Sequence, residues 1–171
     1  MTDTYNLTPR PVSLSAVRDQ VYMVFPNDLN ANDTVFGGLI MAHMDRFAAV
    51  AADRHAAGVC VTASVDAVHF IAPARRGDVL IFNAAVNRAW TTSMEIGVKV
   101  DATSYDGSDR RHILSAYTTF VALDASGKPR PVPPLTPEND EEQRRYREAQ
   151  LRRDLRLNHA EQLKALQQKS R

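Results

Sequence analysis

Gly37-Gly38-Leu39-Ile40-Met41-Ala42-His43-Met44-Asp45-Arg46-Phe47-Ala48-Ala49-Val50-Ala51-Ala52-Asp53-Arg54-His55-Ala56-Ala57 is the stretch on which the fold turns. From Leu39 to Ala57 it contains neither glycine nor proline, and it is apolar round most of its circumference as far as Ala52. That pattern predicts a helix buried on nearly all sides, and such a helix needs a surface wrapped around it. The segments beyond Gly58 supply one, because they read as strand. In Val59 to Phe70, Val61, Ala63, Val65 and Ala67 are set on one face and Thr62, Ser64 and Asp66 on the other. In Thr92 to Ala102, Met94, Ile96, Val98 and Val100 alternate with Ser93, Glu95, Gly97 and Lys99. Val79 to Trp90 and His112 to Leu123 complete the set, and a short strand, Val21 to Phe25, precedes the helix. Four successive strands on short turns predict an antiparallel meander, so the expected fold is α+β, a curved antiparallel sheet wrapped around one long buried helix. Long strands leave edges, and pairing of two such sheets in a dimer is expected.

The rest of the chain divides around this core. Its 171 residues suffice for one ordinary domain with tails. Residues 1–18 are polar, without a sustained period, and are expected to form a flexible arm. Residues 19–124 hold the domain. Residues 125–137 carry five prolines, at 129, 131, 133, 134 and 137, and are expected to be an extended linker. Residues 138–171 are expected to form a charged helix, with Thr136 as cap and Pro137 at its first position; leucines 151, 155, 163 and 166 make only a thin stripe. No apolar run reaches about 18 residues and residues 1–20 hold no apolar leader core, so a cytoplasmic protein without a membrane partner is expected. Lys and Arg number 21 against 20 Asp and Glu, so no global field recruits nucleic acid. Cys60 is the only cysteine, which excludes an internal disulfide and a cysteine zinc cluster. The five histidines show no metal-ligand spacing, and neither a metal nor a cofactor is expected.

Asp45 is the anomaly of the helix. Met41, Ala42, Ala48 and Ala49 surround it one turn away, so its carboxylate leaves from an apolar stripe. A carboxylate so placed is either half of a structural ion pair or a working acid or base. Gly37 and Gly38 add a second feature: backbone N–H groups at a helix start, without side chains in the way, can polarise a carbonyl oxygen, although a glycine pair also serves tight turns. Asn30 and Asn32 lie in the loop before the helix, where an amide can hold a water and a carbonyl or simply form a turn. No Gly-x-Ser-x-Gly elbow, phosphate loop or dinucleotide fingerprint occurs.

The blocks Pro26 to Asp45, Val61 to Phe70, Thr92 to Glu95 and Gly127 to Pro133 resemble, in order, the hotdog-fold acyl-CoA thioesterases, and the similarity runs from about residue 21 to 150. The chain departs from the family at Asp33, where glycine is common, and at Ala89-Trp90-Thr91. The resemblance implies hydrolysis of an acyl-CoA to a free acid and coenzyme A. It implies Asp45 as general base or nucleophile, Asn30 as holder of water or thioester, and Gly37 and Gly38 as the carbonyl-polarising site. It also implies a homo-oligomer, at least a dimer and by family habit a hexamer of three dimers. For the substrate's phosphates the candidate cations are Arg54, Arg75, Arg76, Arg88, Arg110 and Arg111, each of which also reads as a solvated surface charge. Thr92 and Ser93 could meet the amide-bearing arm, and Asn32, Thr62 and Ser64 complete the expected substrate contacts. Two other readings stay open: an acyl-thioester hydratase or dehydratase, which needs a second proton-transfer group, and a non-enzymatic acyl-CoA sensor.

Overall fold

The computed structural model describes residues 5–169. Helix α1 spans Gly37–Ala56, twenty residues or about 30 Å. Strands β1 (Arg10–Pro11), β2 (Val17–Met23), β3 (Cys60–Phe70), β4 (Val79–Ala89), β5 (Ser93–Thr103), β6 (Arg111–Ala122) and β7 (Leu135–Thr136) accompany it, and helix α2 spans Asp140–Lys169. Five strands form one antiparallel sheet in the order β2-β4-β5-β6-β3. The helix α1 lies against one face and touches all five.

The meander expected of four strands holds for three. β4, β5 and β6 follow one another, but β3 pairs with β6 at the far edge, and β2 takes the place beside β4. The connection from Ile71 to Asp78 is longer than a hairpin loop and contains Pro73, so it does not turn β3 back on β4. It crosses the start of α1, where the Val35 N–H donates to the Ala74 carbonyl at 2.8 Å and Thr34 bridges Arg75.

Alternation places the core side chains. Met94, Ile96, Val98 and Val100 of β5 face α1 and are buried, together with Leu80, Phe82, Ala84 and Val86 of β4 and Leu114, Ala116 and Phe120 of β6. In β3 the alternation fails, because register shifts after Thr62 and after Val65 mark bulges. Thr62 faces α1, while Ser64 and Asp66, of the same parity, lie on the other face.

The helix is buried on one side only. Ile40, Met44, Ala48, Ala51 and Ala52 are in the core, whereas Met41 and Val50 are each 39% exposed and Ala42 is exposed. The expected all-round burial is therefore incomplete in a single copy: one apolar strip of α1 stays open.

Both flanking segments are packed where they were expected to be loose. Residues 1–4 lie outside the described ones, but Arg10–Pro11 pairs in parallel with Leu135–Thr136, and Val12, Ser15 and Val17 are buried. Arg10 Nη1 donates to the carbonyls of Arg54 (3.1 Å) and His55 (2.9 Å), and Arg130 Nη2 donates to that of Ala56 (3.0 Å), so two guanidiniums satisfy the end of α1. His55 meets the Pro133 carbonyl at 2.9 Å. The proline-rich stretch is thus a strap across the helix C-terminus.

α2 starts at Asp140, later than expected, and Asn139 rather than Thr136 caps it by accepting the Glu142 N–H at 3.0 Å. It lies on the outer face of the sheet, held by side chains other than the leucine stripe. Ala149 is buried, Trp90 Nε1 donates to Gln150 Oε1 at 2.9 Å, and Arg152, Arg153 and Arg156 reach Glu95, Ser93 and Asp66. Leu151, Leu155, Leu163 and Leu166 face solvent, and residues 157–168 are exposed throughout. Neither helix is long and apolar enough to cross a membrane.

Candidate active site

The start of α1 is built without a side-chain cap and without an acidic residue in its first turn. The Leu39 N–H turns back to the Phe36 carbonyl at 2.9 Å, and the N–H groups of Gly37 and Gly38 have no helical carbonyl within reach. The glycines are needed for space. A Cβ on Gly37 would sit 3.2 Å from the Phe70 ring, and one on Gly38 would sit 2.3 Å from the Phe36 ring. Beside them opens an apolar cavity of about 340 Å³, lined among others by Val35, Gly37, Ile40, Phe70 and Ile71.

Asp45 stands on the same helical face as Gly38, seven residues on, or about 10 Å along the axis. Its side chain leans toward the helix N-terminus, which shortens that gap. The Thr62 hydroxyl of β3 donates to Asp45 Oδ1 at 2.7 Å, Thr62 being in register with the core residue Phe120 of β6. Met41, Ala42 and Ala49 flank the carboxylate. Asn30 sits in the adjoining loop. Its Oδ1 accepts the Asn32 N–H at 2.8 Å, its Nδ2 donates to the Thr34 hydroxyl at 2.9 Å, and its backbone N–H donates to the Thr34 carbonyl at 2.8 Å. Asn30 therefore shapes the loop that delivers the chain to Gly37, and Asn32 stays exposed beside it.

The Thioesterase superfamily model matches residues 32–104. A solved hexameric acyl-CoA thioesterase is 38% identical, with a TM-score of 0.86 over 90% of this chain and 97% of that one. The chain belongs to the thioesterase superfamily. Acyl-CoA hydrolase from Staphylococcus aureus, solved with butyryl coenzyme A, coenzyme A and coenzyme A disulfide, is 36% identical, with a TM-score of 0.85 over 95% of this chain and 99% of that one. Mouse acyl-coenzyme A thioesterase 11 is 40% identical over 140 residues, 81% of this chain; the chain spans about a quarter of that relative's length (24%). The five-stranded antiparallel sheet with its long helix is the hotdog fold of these enzymes.

Within this thioesterase domain the expected contact residues separate into two groups. Asp45, Thr62, Gly37, Gly38 and the Asn30 loop come together at the start of α1, and Arg75 and Arg76 are exposed in the connection that crosses it. The others do not. Arg54 lies at the opposite end of α1, where its guanidinium reaches the Ala16 carbonyl at 3.4 Å. Arg88 is covered by α2: its guanidinium stacks 4.1 Å from the Tyr146 ring centre and donates to the Tyr146 carbonyl at 3.3 Å, so it is not a free phosphate ligand. Ser93 accepts from Arg153 at 3.2 Å on that same outer face, with Thr92 beside it in the bend before β5, and Ser64 bonds Asp66 at 3.3 Å. For Arg88, Ser93 and Ser64 the physical reason is shared: α2, carrying six arginines between positions 144 and 156, folds onto the outer face and anchors on Arg88, on Ser93 and on Asp66 beside Ser64.

Proposed function

We propose that the chain hydrolyses acyl-CoA thioesters, with the acyl group in the apolar cavity, the carbonyl oxygen against the Gly37 and Gly38 N–H groups, and Asp45 activating water. The observation that carries this reading is the Asp45–Thr62 hydrogen bond two turns behind an uncapped Gly-Gly helix start. The threonine hydroxyl fixes one carboxylate oxygen and leaves the other for a water, while the helix start supplies donors where negative charge develops. In support, solved Staphylococcus aureus hydrolase variants carry alanine in place of an asparagine, an aspartate and a threonine. Their spacing of 15 and then 17 residues is that of Asn30, Asp45 and Thr62. Steady release of free thiol from acyl-CoAs of several lengths tests the reading; tight binding without turnover would replace it with the sensor.

The other chemistries lack their groups. A hydratase needs a second proton carrier at the acyl chain, but His43 packs among Tyr22, Phe47 and Phe82 with ring centres 4.4, 6.3 and 5.8 Å away. Burial, with Arg46 nearby, pushes its pKa down. The Cys60 thiol is pushed up to about 12, first by burial and then by Asp53, so it is no nucleophile at neutral pH.

Asn30 is expected to act on the transition state through the loop and the water it positions. Asn30→Ala should lower kcat by about 10-fold with a smaller change in KM. A change in KM alone would reduce its part to substrate positioning.

The active unit is at least a dimer, in keeping with the hexameric neighbour. The open strip of α1 with Met41 and Ala42 runs beside the free edge of β3, where Val61 and Val65 are each 42% exposed, and Phe70 and Ile71 close the row. A second copy laid on this face covers the strip, pairs the edge and dries the Asp45 site. Arg75 and Arg76 are the cations left for the phosphates of coenzyme A. Light scattering should give a dimer or a multiple of it, and a fully active monomer would refute the arrangement.

A further inference from the structure

On the face of the sheet away from α1, side chains of β5 and β6 form a second hydrogen-bonded series that the thioesterase reading does not use. Asp101 Oδ1 lies 3.0 Å from His112 Nδ1, and His112 Nε2 lies 2.9 Å from Ser115 Oγ. Asp101 is 2% exposed, and its other oxygen accepts from Arg110 at 2.8 and 3.0 Å and pairs with Lys99 at 3.1 Å. Burial alone would push this carboxyl up. The hydrogen bonds from His112, Arg110 and Lys99 outweigh it and hold the group below the usual carboxylate range. Asp101 is therefore ionised, and an ionised carboxylate can only accept. The proton of the neutral imidazole must then sit on Nδ1, Nε2 presents its lone pair, and the Ser115 hydroxyl has to donate to it. Every hydrogen bond in the series is thereby given a direction, and the direction is that of a serine nucleophile with its base and its orienting acid.

The surroundings suit a reacting group. Ser115 is half-buried and opens into a groove of about 590 Å³ between the sheet, residues 12–19 and the first turns of α2. Lys99, its cross-strand partner in the register, lines the groove with Arg18, Arg110, Arg144 and Arg145. Its ammonium rests on Asp101 at 3.1 Å and is the cation of the serine's register pair, so it must leave that carboxylate to meet charge on a carbonyl oxygen. Arg144 and Arg145 are paired with Glu148 and Glu141, at 2.7 and 2.5 Å.

We propose that Ser115, His112 and Asp101 form a second acyl-transfer centre, independent of Asp45, that takes the acyl group of activated carboxylic esters. In the first step Ser115 Oγ bonds to the carbonyl carbon and its proton passes to His112 Nε2. The bond from that carbon to the leaving oxygen breaks, and the imidazolium returns the proton to that oxygen. Water then attacks the acyl-serine, again giving a proton to His112, and releases the carboxylic acid and the free serine. With one cation rather than a pair of fixed N–H donors at the oxyanion, the centre is slow, and its signature is a labelled serine rather than rapid turnover.

The test uses the full-length Asp45→Ala chain, which separates this centre from the thioesterase site, with p-nitrophenyl acetate as probe. Nitrophenolate release is followed, and the acetylated peptide is mapped by mass spectrometry. Acetyl on the Ser115 peptide is expected, with release falling at least about 10-fold on adding Ser115→Ala or His112→Gln. Ser115→Cys should move the label to sulfur, which keeps the test open should a histidine variant fold poorly. Ser115→Ala alone should leave thiol release from acyl-CoA unchanged. Acetyl confined to lysines, or equal release with and without Ser115, would overturn the proposal while leaving the thioesterase reading intact.

Discussion

Asp45→Asn is expected to slow thiol release by about 10²- to 10⁴-fold, with kcat and kcat/KM falling together, as for loss of a positioned general base. Asparagine keeps the volume and keeps an oxygen for the Thr62 hydroxyl, whose 2.7 Å bond is the one anchor of this side chain to β3. What it loses is the capacity to take a proton. Asp45→Ala should match or exceed the effect, and both variants should unfold near the parent temperature, since Asp45 is only partly buried and its neighbours Met41 and Ala42 are exposed. Thr62→Val then reports the orienting part alone and should cost about 10-fold, through a looser carboxylate rather than a lost base. Near-parental turnover in Asp45→Asn would remove the aspartate from the chemistry and leave it an interface group, the competing reading of a carboxylate on an apolar stripe.

Much of the architecture is written in local periodicity, and what is not local was lost. The run from Gly37 to Ala56 and the alternation from Met94 to Val100 are strong because each records a single buried face. The apolar circumference of α1 overstated its burial in one chain, since an apolar strip reads alike whether its own sheet or a second copy covers it. β3 departs from its local pattern for two reasons. Its neighbour in the sheet is set by the path of residues 71–78, and its bulges shift Thr62 and Ser64 onto opposite faces, which parity alone cannot reveal. The same holds for the site. Asp45, Gly37 and Gly38 were legible as breaks in a local pattern, an acid in an apolar stripe and two glycines at a helix start. Arg88 and Ser93 looked like free polar groups because their cover, α2, lies about 60 residues further on and carries no apolar stripe to announce its docking. The sequence signal that was there is the density of arginine from position 144 to 156 opposite the acids Glu95 and Asp66, an interaction between segments rather than within one. The Asp101–His112–Ser115 series leaves no local pattern for a related reason, since it joins residues of two paired strands whose register only the fold supplies.

Those arginines carry the largest expected effect on stability. Glu95 lies near the start of β5 with no exposure, its Oε1 accepting from Asn87 at 2.9 Å and from Arg152 at 2.7 Å, its Oε2 accepting from Arg152 at 3.0 Å. The Arg152 guanidinium also stacks 3.7 Å from the Tyr117 ring centre, and its side chain is 22% exposed. Gly97 makes room for this arrangement, because a Cβ there would come within 2.6 Å of the Asn87 amide. Arg152→Ala would leave a carboxylate inside the protein with one neutral donor, a change that costs about 3–5 kcal/mol in comparable pairs. For a chain of this length that corresponds to a fall of roughly 10 °C in unfolding temperature. Glu95→Gln in the Arg152→Ala background removes the stranded charge while keeping an oxygen for Asn87, so the double variant should regain most of the loss. That recovery distinguishes an uncompensated charge from lost packing over Tyr117, which the glutamine could not restore. If Arg152→Ala lowers the unfolding temperature by no more than a degree or two, water reaches Glu95 in solution, and α2 is held to the sheet by Tyr146, Ala149 and Trp90 rather than by its arginines.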